Sequence, residues 1–375
     1  MNIGLALSGG GVRALVFHLG VLARLADESL LEQVVALSTV SGGSLGIGLV
    51  YAANSYRWPT SAEYRATVVP RARHILTTQD LQGTYLGRLL RAPLSLLRPR
   101  AGDIARLIEE LWGVRTSLRE LPRAPYWLIN ATCYETGVNW RFAPDRMGDY
   151  LFGYSRDPDF PLAAAMAASG AFPGFIGPLT LDTRRYVWTS GSETAPRPPL
   201  HTRVHLWDGG VYENLGVEAL FKPGQGYRYN VQFLLTSDAG AVPGGERYRF
   251  FKSAYRLISL ATNQVRALRA RMVVAHLQAG NPGSFFQIDN SAAYLLEKAG
   301  RAAEIPAIAP RYLPEGEVRL AATMESTLRR ITPEEFERLF RHGFEVADIT
   351  MHAFASGGQR PLRGYDAAAW GNTSA

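Results

Sequence analysis

Cysteine is nearly absent from this chain, since Cys133 is the single one among 375 residues. One cysteine excludes an internal disulfide framework and argues against a thiolate metal site. Because Cys133 lies in the strand-like run YWLINATCY, we expect a buried and unreactive thiol.

Long hydrophobic runs are also missing. No segment reaches the roughly 18 uninterrupted apolar residues of a membrane-spanning helix. The amino terminus, MNIGLALSGGG, has neither the basic region nor the long apolar region of a signal peptide. The sequence therefore predicts a cytoplasmic protein without a signal peptide or transmembrane helix, and it leaves peripheral attachment to a membrane open.

Charge of one sign is in only modest excess. The formal net charge is +7, and no RNA-binding, zinc-finger or helix-turn-helix pattern accompanies it. We therefore expect no nucleic-acid partner, whereas an anionic membrane surface or lipid stays open as a partner. With 47% hydrophobic and 19% charged residues, the composition is typical of a folded protein.

What is present begins with a regular alternation of strand and helix patterns. Residues 2–7 and 33–40 are short apolar runs that predict buried strands, and leucines at helical spacing occupy 12–26. A second helix is expected after the second strand, ending at about residue 53. This order predicts an α/β fold in which helices cover a mostly parallel sheet.

The composition also divides the chain into parts. The stretch AGAVPGG (239–245) is the best candidate for a domain boundary, because glycine and proline interrupt the strand pattern there. We expect a first domain over 1–245, a C-terminal helical extension over 246–357 and a disordered tail over 358–375. Within the first domain, 56–125 is helical, rich in arginine and broken by prolines, which indicates a basic insertion.

Two local patterns predict specific structures. The strand-like runs YWLINATCY and VNWRF are joined by ETG, which predicts a β-hairpin. In TPEEFERLF, Thr332 is a candidate helix N-cap, Pro333 the first helical residue and Glu335 the partner in a capping box.

The stretch STVSGGSLGIG follows the second predicted strand and contains a G-x-S-x-G pattern centred on Ser44. A nucleophile elbow places its serine on a sharp strand-to-helix turn, where flanking side chains would collide. The helix N-terminus beyond the turn offers backbone N–H groups to a developing oxyanion. We therefore expect Ser44 to be a nucleophile, with elbow glycines at Gly42, Gly43 and Gly46.

A merely structural turn is the competing interpretation of this stretch, because the pattern arises often by chance in a glycine-rich chain. Two further serines, Ser38 and Ser41, are expected on the end of the strand rather than at the tip of the turn.

A second glycine cluster, GGGVR, stands between the first predicted strand and the first helix. Three glycines let the backbone approach a ligand and direct successive N–H groups towards an anion. No Gly-Lys-Ser/Thr follows, as a phosphate loop requires, and Ala14 replaces the third glycine of a dinucleotide fingerprint. An oxyanion hole beside Ser44 is the favoured interpretation, with the loop residues Gly9, Gly10, Gly11, Val12 and Arg13.

The general base that activates Ser44 is expected to be the carboxylate of an aspartate. Asp208 ends the apolar strand VHLWD, and Gly209 and Gly210 leave its carboxylate uncrowded. Such a carboxylate can accept the serine proton directly. Of the histidines only His276 is suitably placed for a triad, and its surroundings are typical of an ordinary helix end.

Four segments together, in this order, resemble the motifs of the patatin-like phospholipase family over roughly residues 3–240: GGGVRA (9–14), GGSLG (42–46), AASGAFPGFIGPL (167–179) and DGG (208–210). The resemblance implies a three-layer α/β/α fold and a lipid acyl hydrolase with a Ser-Asp dyad. It identifies Ser44 with the nucleophile, Asp208 with the general base and the first motif with the oxyanion hole. The third motif receives no chemical role, and Ala14 departs from the glycine that is usual in the family.

The resemblance further implies an enzyme of the phospholipase A or lysophospholipase type, acting on a phospholipid or other lipid ester without a metal or cofactor. The alternative is a lipid-binding protein that keeps the scaffold and lacks turnover. Residues 84–100 combine leucines with arginines, so they are expected either as a basic amphipathic lid on an anionic surface or as a core-packing segment.

Overall fold

The computed structural model describes residues 1–91, 101–173, 176–191, 195–240, 253–354 and 360–370. The strands are β1 (Ile3–Leu7), β2 (Val34–Val40), β3 (Tyr126–Cys133), β4 (Asn139–Ala143), β5 (Arg146–Asp149), β6 (Gly153–Arg156), β7 (Leu179–Asp182), β8 (Arg203–Asp208), β9 (Phe221–Lys222), β10 (Gly226–Tyr227), β11 (Phe233–Asp238) and β12 (Gly283–Gln287). The helices are α1 (Gly11–Ala26), α2 (Gly42–Ala53), α3 (Ser61–Glu63), α4 (Val69–Thr78), α5 (Leu81–Arg91), α6 (Ala101–Leu111), α7 (Leu162–Ser169), α8 (Ser253–Gln278), α9 (Ala292–Lys298), α10 (Ile305–Ile308), α11 (Glu315–Thr323), α12 (Pro333–Phe354) and α13 (Ala367–Trp370).

The main sheet has a parallel centre and an antiparallel wing. Its path runs β12-β11-β1-β2-β3 through parallel pairs, and β4, β5 and β6 follow by antiparallel pairing. The hairpin predicted between β3 and β4 is present. Helices flank this sheet, so the predicted α/β fold with its mostly parallel central sheet is confirmed.

Both faces of the central strands are covered, which explains their continuous apolar sequences. All residues of β1, IGLAL, are buried. Leu5 and Leu7 belong to the larger core, which also contains residues of α1, α2 and α12. Ala6 points to the opposite face and joins a second core with Val273 of α8. The sheet is thus the middle layer of an α/β/α arrangement.

Cys133 is the last residue of β3 and is buried. Burial raises the pKa of its thiol, so the thiolate form is disfavoured. The expectation of a buried, unreactive cysteine agrees with this environment.

The helix α12 crosses α1 at a point where glycines bring the two backbones together. A Cβ on Gly20 would lie 1.9 Å from the carbonyl oxygen of Phe340. In the reciprocal contact, a Cβ on Gly343 would lie 2.0 Å from the carbonyl oxygen of Phe17. Any larger residue at either position would force the helices apart, so α12 is an integral part of the core.

The segment 246–357 is not the purely helical extension that its composition suggested. Its strand β12 pairs in parallel with β11 and extends the main sheet, and its helix α12 packs against α1. The capping box predicted for α12 is present, because Thr332 and Glu335 each accept a hydrogen bond from the backbone N–H of the other. The stretch GSFFQ escaped prediction because it is short and begins with glycine.

The described part of the C-terminal tail, 360–370, corrects the expectation of disorder. Trp370 is 4% exposed, and its ring lies beside those of Phe340 and Phe344. Arg360 forms an ion pair with Glu28 at the C-terminal end of α1. The tail therefore covers the same core that α1 and α12 form.

The insertion 56–125 contains the helices α3 to α6. The predicted lid, 84–100, lies only partly within the described residues. In the described part Tyr85 is buried, whereas Leu86 is 44% exposed. None of the helices in the described ranges has the length and apolar character needed to cross a bilayer.

Candidate active site

Ser41 is the corner residue between β2 and α2. Its φ of 48° and ψ of −115° put a residue with a side chain in a strained region of backbone space. This geometry is typical of a nucleophile elbow, in which a serine stands at the tip of a strand-to-helix turn. The next residue must be glycine, because a Cβ on Gly42 would lie 2.3 Å from the carbonyl oxygen of Gly11.

Ser44 does not stand at this corner. It lies in the first turn of α2, is fully buried, and its hydroxyl is hydrogen-bonded to those of Thr39 and Ser169, each at 2.8 Å. The placement differs from the prediction that Ser44 stands at the tip of the strand-to-helix turn. The G-x-S-x-G pattern is present in the sequence, but its serine lies three residues, almost one helical turn, after Ser41.

Asp208 reaches the same corner from the opposite direction. Strands β2 and β8 use the same edge of β3, because β4 occupies its other edge. Val40 pairs with Asn130. Asp208 pairs with the next residue of β3, Ala131. The carboxyl ends of β2 and β8 therefore meet, and Ser41 and Asp208 line the same cavity.

The Asp208 carboxylate is 3% exposed. Burial raises its pKa to about 7, against the lowering effect of hydrogen bonds from the Gly210 N–H and the Ser41 side chain. The Gly210 N–H donates to Oδ1 at 2.7 Å. Gly209 is held so close to β3 that a Cβ on it would lie 2.5 Å from the carbonyl oxygen of Asn130. A carboxyl group with a pKa near 7 is suited to act as a general base at neutral pH.

The glycine loop after β1 forms one wall of the cavity. Gly9, Gly10 and Gly11 line the cavity in front of Ser41. Gly10 and Gly11 have φ values of 145° and 62°, which residues with side chains rarely adopt. Because α1 begins at Gly11, the loop brings the positive end of that helix dipole to the cavity.

Val12 does not line the cavity. Its backbone N–H donates to the carbonyl oxygen of Thr327 at 2.9 Å. The Val12 N–H, which the sequence analysis assigned to the oxyanion hole, is therefore already bonded within the protein.

Arg13 is also absent from the cavity wall. Its guanidinium donates to the carbonyl oxygens of Met324 and Ala239, at 2.5 and 3.0 Å. Burial, and then repulsion from Arg266, lower its pKa to about 10, while Asp238 acts in the opposite sense. Arg13 thus connects the first turn of α1 to Met324 and to the residue that follows β11.

A cavity of about 440 Å³ connects these groups, a volume within the usual range for small-molecule sites. Its apolar lining comes from Phe172, Ile176 and Leu328, and its polar lining on α8 from Ser259, Thr262 and Asn263. No histidine is found among the described residues that line it. Nor does the described part of the chain contain a cluster of His, Cys, Asp and Glu suited to a metal ion.

The family model for patatin-like phospholipases matches residues 5–221. This range contains the glycine loop, the Ser41 corner and Asp208, and it exceeds half of the 375 residues. The chain belongs to the patatin-like phospholipase family.

Fungal relatives in this family match part of the chain. The patatin-like phospholipase domain-containing proteins of Aspergillus niger and Neosartorya fischeri are each 27% identical to it over 235 residues, or 62% of its length. The match covers 27% of the first relative and 28% of the second. The chain thus corresponds to little more than a quarter of either fungal protein.

A solved structure shares the fold over most of the chain. Human GIVD cytosolic phospholipase A2, in complex with methyl gamma-linolenyl fluorophosphonate, aligns with a TM-score of 0.50 and 17% identity. The alignment covers 92% of this chain and 56% of the human protein.

In this member of the family, Asp208 and the three loop glycines line one cavity, and Ser41, which the sequence analysis placed on the strand end, lines it as well. The sequence feature that marks Ser41 is the end of the apolar strand rather than the G-x-S-x-G spacing. The apolar run VVALSTV ends at Val40, so the first residue after the strand, followed at once by two glycines, is Ser41.

Proposed function

We propose that this protein is a lipid acyl hydrolase that cleaves carboxylic esters through a Ser41–Asp208 dyad. The observation that carries the proposal is the meeting of these two residues. A serine on a strained corner and a buried carboxylate whose pKa is raised to about 7 line the same cavity, and the serine side chain lies close enough to lower that pKa. Serine nucleophiles require an adjacent base of this kind.

In the proposed reaction, Asp208 accepts the hydroxyl proton as the Ser41 oxygen attacks the ester carbonyl carbon. The tetrahedral intermediate then collapses, and the departing alcohol or lysolipid takes the proton from Asp208. Water, deprotonated by Asp208, attacks the acyl-serine, and the fatty acid leaves as Ser41 regains its proton. Each proton that Asp208 accepts is later given up, either to the leaving group or to Ser41. The proposed reaction therefore needs no metal ion or cofactor.

The negative charge of the tetrahedral intermediate requires hydrogen-bond donors. We assign this role to the backbone N–H groups of Gly10 and Gly11, which lie in the cavity wall at the start of α1. Since Val12 donates to Thr327, its N–H is not part of the assignment. Removal of one oxyanion donor costs on the order of 3 kcal/mol of transition-state stabilisation in comparable enzymes.

A lipid substrate has to pass from a membrane into the cavity, and α8 offers a surface for this contact. Leu257 and Leu260 are 65% and 38% exposed, and both flank Ser259, which lines the cavity. Leu86 of α5 is 44% exposed and lies one helical turn from Gln82, another lining residue. We propose that these leucines dip into a lipid surface while the substrate enters, so that the protein binds membranes peripherally.

The test uses a fluorophosphonate probe, which reacts with activated serines, together with a panel of lipid esters. We expect the wild type and Ser44→Ala to be labelled and to hydrolyse esters. Ser41→Ala should be neither labelled nor active, and Asp208→Asn should lose hydrolysis. Labelling of Ser41→Ala but not of Ser44→Ala would return the nucleophile to Ser44. A folded wild type that binds liposomes but neither reacts nor hydrolyses would instead support lipid binding without turnover.

A further inference from the structure

We propose that Ser169 is a positioning residue that sets the geometry of the dyad, an inference that rests on the proposed function. Ser169 belongs to the segment ASGAFPG, which the sequence analysis left without a chemical role. It is the last residue of α7 and is completely buried. A buried hydroxyl at this place has to be accounted for, because burying it without partners is costly.

The hydroxyl of Ser169 contacts the backbone of the nucleophile. Its Oγ accepts a hydrogen bond from the Ser41 N–H at 2.9 Å and donates one to the carbonyl oxygen of Asn130 at 2.7 Å. It is also 2.8 Å from the Ser44 hydroxyl. Since a carbonyl oxygen only accepts, the single Ser169 proton is directed to Asn130, and its lone pairs are left for Ser41 and Ser44.

The donor and acceptor of each remaining hydrogen bond in this chain follow from the direction of the Ser169 hydroxyl. Ser44 has to donate to Ser169, so it accepts from the hydroxyl of Thr39, at 2.8 Å. Thr39 in turn accepts from the indole N–H of Trp127 at 2.9 Å. The chain therefore begins at a group that only donates and ends at one that only accepts, which fixes the orientation of each hydroxyl between them.

The same segment also holds the base. The backbone N–H of Asp208 donates to the carbonyl oxygen of Ala171 at 3.1 Å. Ser169 thus binds the nucleophile through its side chain, and Ala171 binds the base through its backbone. The two anchors are two residues apart in the chain, so this segment fixes the distance from the Ser41 corner to the end of β8.

Because the backbone of Ser41 is strained, the hydrogen bond from its N–H to Ser169 is needed to hold its conformation. With φ at 48° and ψ at −115°, the Ser41 backbone lowers its free energy by relaxing to a common conformation once its N–H loses its acceptor. A relaxed backbone turns the Ser41 hydroxyl away from Asp208. We expect both the reactivity of the serine and the pKa of the carboxyl group to change, because the hydrogen bond from Ser41 lowers that pKa.

The experiment compares Ser169→Ala with Ser44→Ala, a matched control that removes a hydroxyl from the same chain without touching the Ser41 N–H. For Ser169→Ala we expect kcat and the fluorophosphonate labelling rate to fall by roughly 10- to 100-fold, with KM within about twofold. The acid limb of its pH–kcat profile should move to higher pH. Ser44→Ala should stay within about fivefold of the wild type and keep its acid limb.

Several outcomes would overturn the inference. These are equal losses in the two variants, wild-type rates in Ser169→Ala, or a lower kcat without movement of the acid limb, which indicates a purely structural role. Thermal unfolding checks that each variant is folded. Ser169→Cys, which replaces the hydroxyl by a weak acceptor of similar size, substitutes for an unfolded alanine variant with the same expectations. Activity in Ser41→Ala would remove the proposed function itself, whereas inactive Ser41→Ala beside wild-type-like Ser169→Ala would remove this inference alone.

Discussion

Ser41 and Asp208 lie together at the point where β2 and β8 end against the same edge of β3, and both line one cavity. No histidine mediates between them among the described residues of the cavity. A carboxylate that acts without a histidine must itself have a suitable pKa. Burial provides it, since it raises the pKa of Asp208 from the ordinary value of 3.8 to about 7.

Hydrolysis should therefore depend on pH through Asp208. Only the ionised carboxylate accepts the serine proton, so activity rises with pH and levels off above about 7. The measurement is kcat/KM for a soluble ester as a function of pH, with the free acid quantified. An acid limb near pH 4, the range of an ordinary aspartate, would contradict the role assigned to the buried carboxylate.

The same pKa shift predicts that Asp208 lowers stability. Its folded-state pKa, about 7, exceeds the ordinary 3.8, so the unfolded state loses the proton first as pH rises. Stability relative to a neutral side chain is therefore undiminished below about pH 4 and falls as pH rises to about 7. Asp208→Asn keeps an oxygen to accept from the Gly210 N–H, so we expect it to be more stable than the wild type at pH 8, by on the order of a few kcal/mol.

Urea unfolding at pH 8 and pH 4 checks this prediction. The difference between Asp208→Asn and the wild type should be largest at pH 8 and should nearly vanish at pH 4. A variant that is less stable than the wild type at pH 8 would show that the ionised carboxylate is stabilised by its surroundings instead.

Sequence reasoning succeeded where the structure depends on local pattern. The order of β1, α1, β2 and α2 follows from hydrophobic spacing, and the position of Asp208 at the end of β8 follows from an apolar run that ends in an acid followed by glycines. The exact start of α2 could not be predicted from the local pattern: the helix begins at Gly42, so Ser44 lies in its first turn and Ser41 precedes it. Residues in a helix are separated by about 100° of rotation, so Ser44 points into the core while Ser41 stands at the corner. The joining of β12 to the sheet depends on a contact with β11 that no local pattern reveals.

Gly42, the residue after Ser41, should be intolerant of substitution. A Cβ on Gly42 would lie 2.3 Å from the Gly11 carbonyl oxygen and 2.9 Å from its nitrogen, so Gly42→Ala must displace the glycine loop. We expect fluorophosphonate labelling to fall by at least about 100-fold. Gly46→Ala is the matched control on the same helix, because its Cβ meets nothing closer than Leu15 Cγ at 3.4 Å. Comparable labelling of both variants would contradict the close approach of the elbow to the loop.

The buried pair between Arg24 and Asp348 should dominate the attachment of α12 to α1. Both side chains are 0% exposed, and Asp348 also accepts from the Tyr312 hydroxyl at 2.8 Å. Asp348→Ala removes one of the two carboxylate partners of the buried Arg24 guanidinium and leaves only Glu28, so we expect a loss of about 3–5 kcal/mol in the free energy of unfolding. In the control pair the side chains of Arg119 and Asp159 are 52% and 63% exposed, and Asp159→Ala should cost about 0–1 kcal/mol. Denaturant unfolding measures both, and equal losses would contradict the importance of burial.

Substitutions in the proposed membrane-binding surface of α8 should weaken vesicle binding without changing ester hydrolysis. Leu257→Asp and Leu260→Asp place charges beside the cavity lining without altering Ser41 or Asp208. We expect each to weaken binding to anionic phospholipid vesicles by about tenfold, because a leucine then no longer enters the apolar layer. Hydrolysis of a monomeric short-chain ester should stay unchanged.

Leu200→Asp provides the control for this membrane surface. Leu200 is 57% exposed, and it precedes the end of β8 that lies opposite to Asp208. The length of that strand, about 3.3 Å for each residue, separates it from the cavity. Vesicle sedimentation should show normal binding for Leu200→Asp and reduced binding for the two α8 variants. The reverse result would move the membrane-binding surface to the opposite end of the sheet, away from the cavity that the lipid must reach.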